Sequence, residues 1–256
     1  MAITSISNSY GGSALDSMGS LSSGKRINSA ADDAAGLSVS EKMKTQATAY
    51  DAGSANASQG MDTLRVADGA LSGVQDYLQR IKELAVKASN GTASESDMKI
   101  YQKEIGALKK GILEIAKNTE FNSLKLLDGS MADLTLATNP DGTGMKIQMA
   151  DATLENLGIQ DFDVTGNFDM KLIDKAMDKI SSARGKMGAD LNSLQNLLNY
   201  NSEASYNTTS AVSRLEDLDF PKAVSEVKKN ETLNEYKTMM QRKKMEDDRN
   251  ILGLFQ

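Results

Sequence analysis

The stretch LRVADGALSGVQDYLQRIKELAVKA, residues 64–88, decides the fold. Its apolar and small residues Leu64, Ala67, Leu71, Val74, Leu78, Ile81, Ala85 and Ala88 are separated by steps that alternate three and four without a break. That spacing is a heptad seam, the pattern by which a helix lays a narrow stripe against a partner helix. The same frame runs backward through Gly60, Ala57, Gly53, Tyr50, Gln46, Met43 and Val39, where small residues replace most bulky ones and no proline intervenes. One helix from about Ala35 to Ala88 is expected, roughly 80 Å long at about 1.5 Å rise per residue.

Working outward, Ser89-Asn90-Gly91-Thr92 should end this helix, because Asn-Gly favours positive φ just past a helix C-terminus. Ser94 followed by Asp97 reads as an N-cap with an acid three residues on, and Met98, Tyr101, Ile105, Leu108, Ile112 and Ile115 restart the three-four spacing. A second helix folding back antiparallel on the first is predicted. Between Phe121 and Phe168 the helical period disappears. Apolar-polar alternation in Leu134-Thr135-Leu136 and Met145-Lys146-Ile147-Gln148-Met149, around Asn139-Pro140-Asp141-Gly142-Thr143-Gly144, predicts a β-hairpin at about 133–150. Ala152 to Leu157 reads as a short helical turn. A third long helix begins near Asp169 and carries Ile173, Ala176, Ile180, Ala183, Met187, Leu191, Leu194, Leu198, Asn201, Ser205, Thr208, Val212 and Leu215. Pro221 marks a boundary, and a helix-prone tail closes on Ile251-Leu252-Gly253-Leu254-Phe255.

Each end carries apolar residues at helical spacing with too few partners in its own segment to bury them. Isolated helices of that kind are marginal in water, so order at the ends is expected to come with assembly. The organisation read from the sequence is a helical rod domain, 35–217, and a terminal helical polymerisation domain made of 1–34 and 218–256. The fold class is mostly α, an elongated antiparallel rod with one small hairpin.

Composition narrows the chemistry. Among 256 residues there are 29 Lys and Arg against 35 Asp and Glu, with no His, no Cys and no Trp. A net charge of -6 lacks the basic stripe that displaces counterions from nucleic acid, so no nucleic-acid role is assigned. Without cysteine there is no disulfide or thiolate, and without histidine the commonest metal ligand and general base is missing. Adjacent pairs such as Asp32-Asp33 and Asp247-Asp248 point about 100° apart on a helix and cannot share one substrate atom. No catalytic residue, metal site or cofactor is assigned. No cleaved leader can be drawn at Met1-Ala2-Ile3, nor any run of about 18 apolar residues that would span a bilayer.

The segment from Leu21 to Leu37, Leu-Ser-Ser-Gly-Lys-Arg-Ile-Asn-Ser-Ala-Ala-Asp-Asp-Ala-Ala-Gly-Leu, resembles the N-terminal signature of the bacterial flagellins. Gln79 to Thr92 and Asn118 to Gly129 resemble the next two blocks of that family, in the right order. At the other end, Ser213 to Phe220 and Asn250 to Gln256 also match in place, so the resemblance covers nearly the whole chain except 133–167. It implies antiparallel helices with a hairpin, terminal helices pairing in an inner coiled coil, and a short form that lacks the outer domains of larger flagellins and makes a thin filament. Three departures stand out: a short N-terminal segment containing Gly11-Gly12, a charged tail around Arg242-Lys243-Lys244 and Glu246-Asp247-Asp248-Arg249, and Gln256 in place of a basic last residue.

The resemblance implies a structural subunit that self-polymerises into the flagellar filament, with the export apparatus, an export chaperone at the C-terminal tail and a filament cap as further partners. Ile251, Leu252, Leu254 and Phe255 are the polymerisation residues expected. Arg80, Leu84, Glu104 and Leu108 match family positions that contact a Toll-like innate receptor and neighbouring subunits, with Leu84 expected as an exposed apolar knob beside Arg80. Glu83 and Lys87 are expected as a helix-stabilising pair. The alternatives are a hook-filament junction protein and a secreted helical adhesin or effector that does not polymerise.

Overall fold

The computed structural model describes residues 18–253. After a helical segment at 18–23, helix α1 spans Ala34–Ala88 without interruption. Helix α2 spans Glu95–Asn118, strands β1 to β4 span Glu120–Phe121, Leu124–Lys125, Asp133–Ala137 and Gly144–Gln148, and helix α3 is Leu154–Leu157. Helices α4, Lys171–Glu216, and α5, Phe220–Gly253, complete the chain. It divides into two compact units, one of residues 48–205 and one of residues up to 47 together with those from 206 onward.

In the 48–205 unit the heptad seam is the core. Leu64, Ala67, Leu71, Val74, Leu78, Ile81, Ala85 and Ala88 are all buried, facing Ile105, Ile112 and Ala116 of α2 and Ile173, Ala176, Ile180, Met187 and Leu194 of α4. Helix α2 opens as its spacing predicts: Ser94 caps it, the Asp97 backbone amide donating to the Ser94 hydroxyl while the Ser94 amide donates back to the Asp97 carboxylate at 3.0 Å.

Strands β3 and β4 pair antiparallel from Asp133 opposite Gln148 to Ala137 opposite Gly144, the hairpin expected from the alternation. A second, smaller hairpin, β1–β2, was not expected. It closes on Asn122 and Ser123, both at positive φ, the two-residue turn whose twist matches paired strands.

The larger hairpin explains the run of small residues in the first half of α1. Asn56 donates to the Ala137 carbonyl at 2.7 Å, and Asn201 of α4 donates to the Thr138 carbonyl at 2.8 Å. A Cβ on Gly53 would strike that same Thr138 carbonyl oxygen and come within 3.0 Å of the Asn201 amide. One on Gly60 would strike the Leu136 side chain. The glycines of the seam are therefore the seat of the hairpin.

Candidate assembly interface

Three surfaces bear on what the chain does. In the unit that holds both ends of the described chain, Gly24 adopts φ +69° and turns the backbone so that its carbonyl accepts from the Leu218 amide at 3.0 Å. The Arg26 amide donates to the Glu216 carbonyl at 2.6 Å, and its guanidinium donates to the Leu215 carbonyl at 2.7 Å. Asp32 accepts from the Asn28 and Ser29 amides, which holds its carboxyl below the usual range, and Asp33 accepts from the Gly36 amide where α1 begins. The Gly24-to-Asp33 stretch is thus a loop folded against the end of α4.

Glu216 sits at the centre of that loop. Its side chain is 3% exposed, with Lys44 Nζ at 2.6 Å and Lys25 Nζ at 3.3 Å. The Lys44 ammonium against the carboxylate outweighs the opposing effect of burial and holds the carboxyl at about 2, well below its ordinary value. Glu216 lies within the Ser213-to-Phe220 motif, yet nothing local in the sequence marks it as a buried acid.

The second surface is α5. Pro221 stands in its first turn, where a missing N–H costs nothing. Every residue from 231 to 247 is exposed, including Leu233, Tyr236, Met239, Met240 and Met245. Leu233, Tyr236 and Met240 follow one another at steps of three and four, which puts them on one side of the helix. Of the expected polymerisation residues, Ile251 and Leu252 lie in the last turn of α5, while Leu254 and Phe255 fall outside the described residues.

The third surface is the four-residue patch. Arg80 donates to Glu104 across the α1–α2 contact, Nε to Oε1 at 2.9 Å, and to Glu83 at 3.1 Å, and both bonds raise its pKa further. Glu83 is taken by Arg80, three residues before it, where Lys87 was the expected partner. Leu84 corrects the expectation of a surface knob: it is 1% exposed. It lies beside the seam, three residues after Ile81 and four before Ala88, so it packs into the core instead of standing next to Arg80. Leu108 is half-buried against the same core. The structure joins Arg80 and Glu104 at the surface and places Leu84 in the core.

No group of three potential metal-ligating side chains occurs among the described residues, and no helix among them is long and apolar enough to cross a membrane.

Residues 4–132 match the bacterial flagellin N-terminal helical region and residues 170–255 match the bacterial flagellin C-terminal helical region. The chain is 35% identical to a flagellin of Bacillus subtilis (strain 168), over 93% of its own length and 91% of the relative's. The chain belongs to the bacterial flagellin family. A second relative, the flagellar filament 31.3 kDa core protein of Treponema maltophilum, is 31% identical over 93% of this chain and 91% of that one. Among solved structures, a Vibrio parahaemolyticus protein described as flagellar hook-associated aligns with TM-score 0.56 over 73% of this chain and 100% of the other. At 16% identity that likeness speaks for the fold alone.

Within the family this is a short form and a structural filament subunit. Residues 133–169, between the two matched regions, hold only the larger hairpin, α3 and the connection into α4. The flagellin signature at Leu21 to Leu37 supplies the loop that surrounds Glu216 and the cap of α1.

Proposed function

We propose that copies of this chain polymerise into a helical, extracellular flagellar filament through their terminal segments, 1–34 and 218–256. The observation that carries this reading is α5: a helix exposed on all sides over 231–247, with a stripe of large apolar side chains, needs a partner surface to be stable in water. Neighbouring copies supply that surface, and the family membership says that such copies are present. The chain then has no catalytic task, in keeping with the absence of histidine and cysteine. Delivery through the flagellar export apparatus, with a chaperone on the C-terminal tail and a cap at the growing end, belongs to the same proposal.

Seeded polymerisation followed by electron microscopy tests it. Long filaments support the proposal. Failure of the purified full chain to extend filament seeds would leave the non-polymerising adhesin or the low-copy junction protein as the better reading.

The Arg80–Glu104 pair favours a second role for the same molecule, contact with a Toll-like innate receptor in the free subunit. Arg80 is held by two carboxylates but remains at the surface, as an arginine at the centre of an interface must. Leu84, buried in the core, takes no direct part in that contact.

A further inference from the structure

Two tyrosines far apart in sequence meet on the surface of the 48–205 unit. The rings of Tyr50, on α1, and Tyr200, on α4, stand edge-to-face with centroids 6.3 Å apart and planes at 83°. That contact brings two phenol rings from distant parts of the chain within reach of one another. Tyr50 is half-buried, whereas Tyr200 is 60% exposed and reachable from solvent. Among the described residues no other pair of tyrosines is in ring contact. We propose that Tyr50 and Tyr200 form an oxidative cross-linking site, which a one-electron oxidant converts into a covalent biphenol joining α1 to α4.

The chemistry balances without further reactants. Each phenol gives one electron and one proton to the oxidant, a peroxidase haem driven by hydrogen peroxide, which ends as two molecules of water. The two phenoxyl radicals join through ortho carbons, and each ring recovers its aromaticity by moving a ring hydrogen to its oxygen. The product keeps both hydroxyls and is lighter by two hydrogens. Exposed side chains change rotamer in picoseconds to nanoseconds, so Tyr200 brings its ortho carbon onto that of Tyr50 faster than a radical in water diffuses to another molecule. In a chain with no cysteine the biphenol is the staple that a disulfide cannot provide. It would fasten the helices beside the hairpin seat, since Gly53 follows Tyr50 by three residues and Asn201 directly follows Tyr200.

The test oxidises dilute full-length monomer with horseradish peroxidase and hydrogen peroxide, then reads biphenol fluorescence and the mass of the peptide linking residues 50 and 200. Wild type should give the fluorescent product within the monomer band on a denaturing gel, with the linked peptide as the main cross-link. Tyr50→Phe and Tyr200→Phe should each abolish that peptide. Tyr206→Phe, which removes a tyrosine more exposed than Tyr200 at 74%, should leave it unchanged. Absence of the linked peptide from oxidised wild type, cross-links found only between chains, or undiminished monomer fluorescence in Tyr200→Phe would each overturn the proposal.

Discussion

Lys44 Nζ lies 2.6 Å from the carboxylate of Glu216, in a place where the Glu216 side chain is 3% exposed. One contact thereby joins the start of α1 to the end of α4, and Lys25 reaches the same carboxylate from the loop before α1. Removing the acid leaves two cations facing a buried, uncharged site.

Glu216→Gln is therefore expected to destabilise the monomer near neutral pH by about 3 kcal/mol, from a carboxyl lowered to about 2 against an unfolded value of 4.5. Because the folded pKa is depressed, the contribution is present above pH 4.5 and is lost as pH falls from there towards 2. Urea titrations of both proteins at pH 7 and pH 2 test it. A difference that persists undiminished at pH 2 would show that the effect is not electrostatic.

Two glycines of α1 should respond oppositely to the same substitution. Gly53→Ala drives a methyl group into the Thr138 carbonyl, so the hairpin must shift, at a cost of about 1–3 kcal/mol. Gly69 is exposed with open space where a Cβ would go, and Gly69→Ala should stabilise by about 0.5–1 kcal/mol through helix propensity. Thermal unfolding of the two monomers gives the signs directly. Equal effects would deny that the hairpin seat constrains Gly53.

Arg80 and Leu84 are one turn apart but answer to different demands. Arg80→Ala should cost little stability, because its ion pairs are exposed, while weakening binding of monomer to a Toll-like receptor ectodomain about 30-fold. Leu84→Ala should cost about 2–5 kcal/mol of stability by opening a core cavity. Denaturation and direct binding, measured on the same samples, separate the two. Unchanged receptor binding in Arg80→Ala rejects the patch.

Deleting residues 250–256 should leave a helical monomer that no longer extends filament seeds. Ile251, Leu252, Leu254 and Phe255 would each forfeit about 1.5–3 kcal/mol of burial that only neighbouring copies supply. Circular dichroism and electron microscopy together decide it, and normal filaments from the truncated chain would remove the tail from the assembly mechanism.

The long helices were legible because a seam of alternating threes and fours is a local pattern, and the Ser94–Asp97 cap is local too. The β3–β4 hairpin showed itself through alternation around a cluster of turn residues. The β1–β2 turn stayed hidden because Asn122-Ser123 lacks the glycine that usually marks two adjacent positive φ angles. Leu84 was misread as exposed because a seam identifies one stripe, whereas α1 is flanked by both α2 and α4 and buries more than that stripe. Glu216 escaped notice for a different reason. Its two lysines lie at positions 25 and 44, and no period in the sequence links residues so distant.

The loop around Glu216 also imposes an order of events in time. Arg26 finds its backbone partner 189 residues later, so a chain that emerges from its N-terminus cannot close this contact until most of its length has appeared. The entropy of closing so long a loop grows only with the logarithm of its length, and the delay therefore comes from sequence order more than from free energy. The 48–205 segment contains a complete core of its own and can settle first. The residues that read most clearly as the start of the molecule are then among the last to find their places.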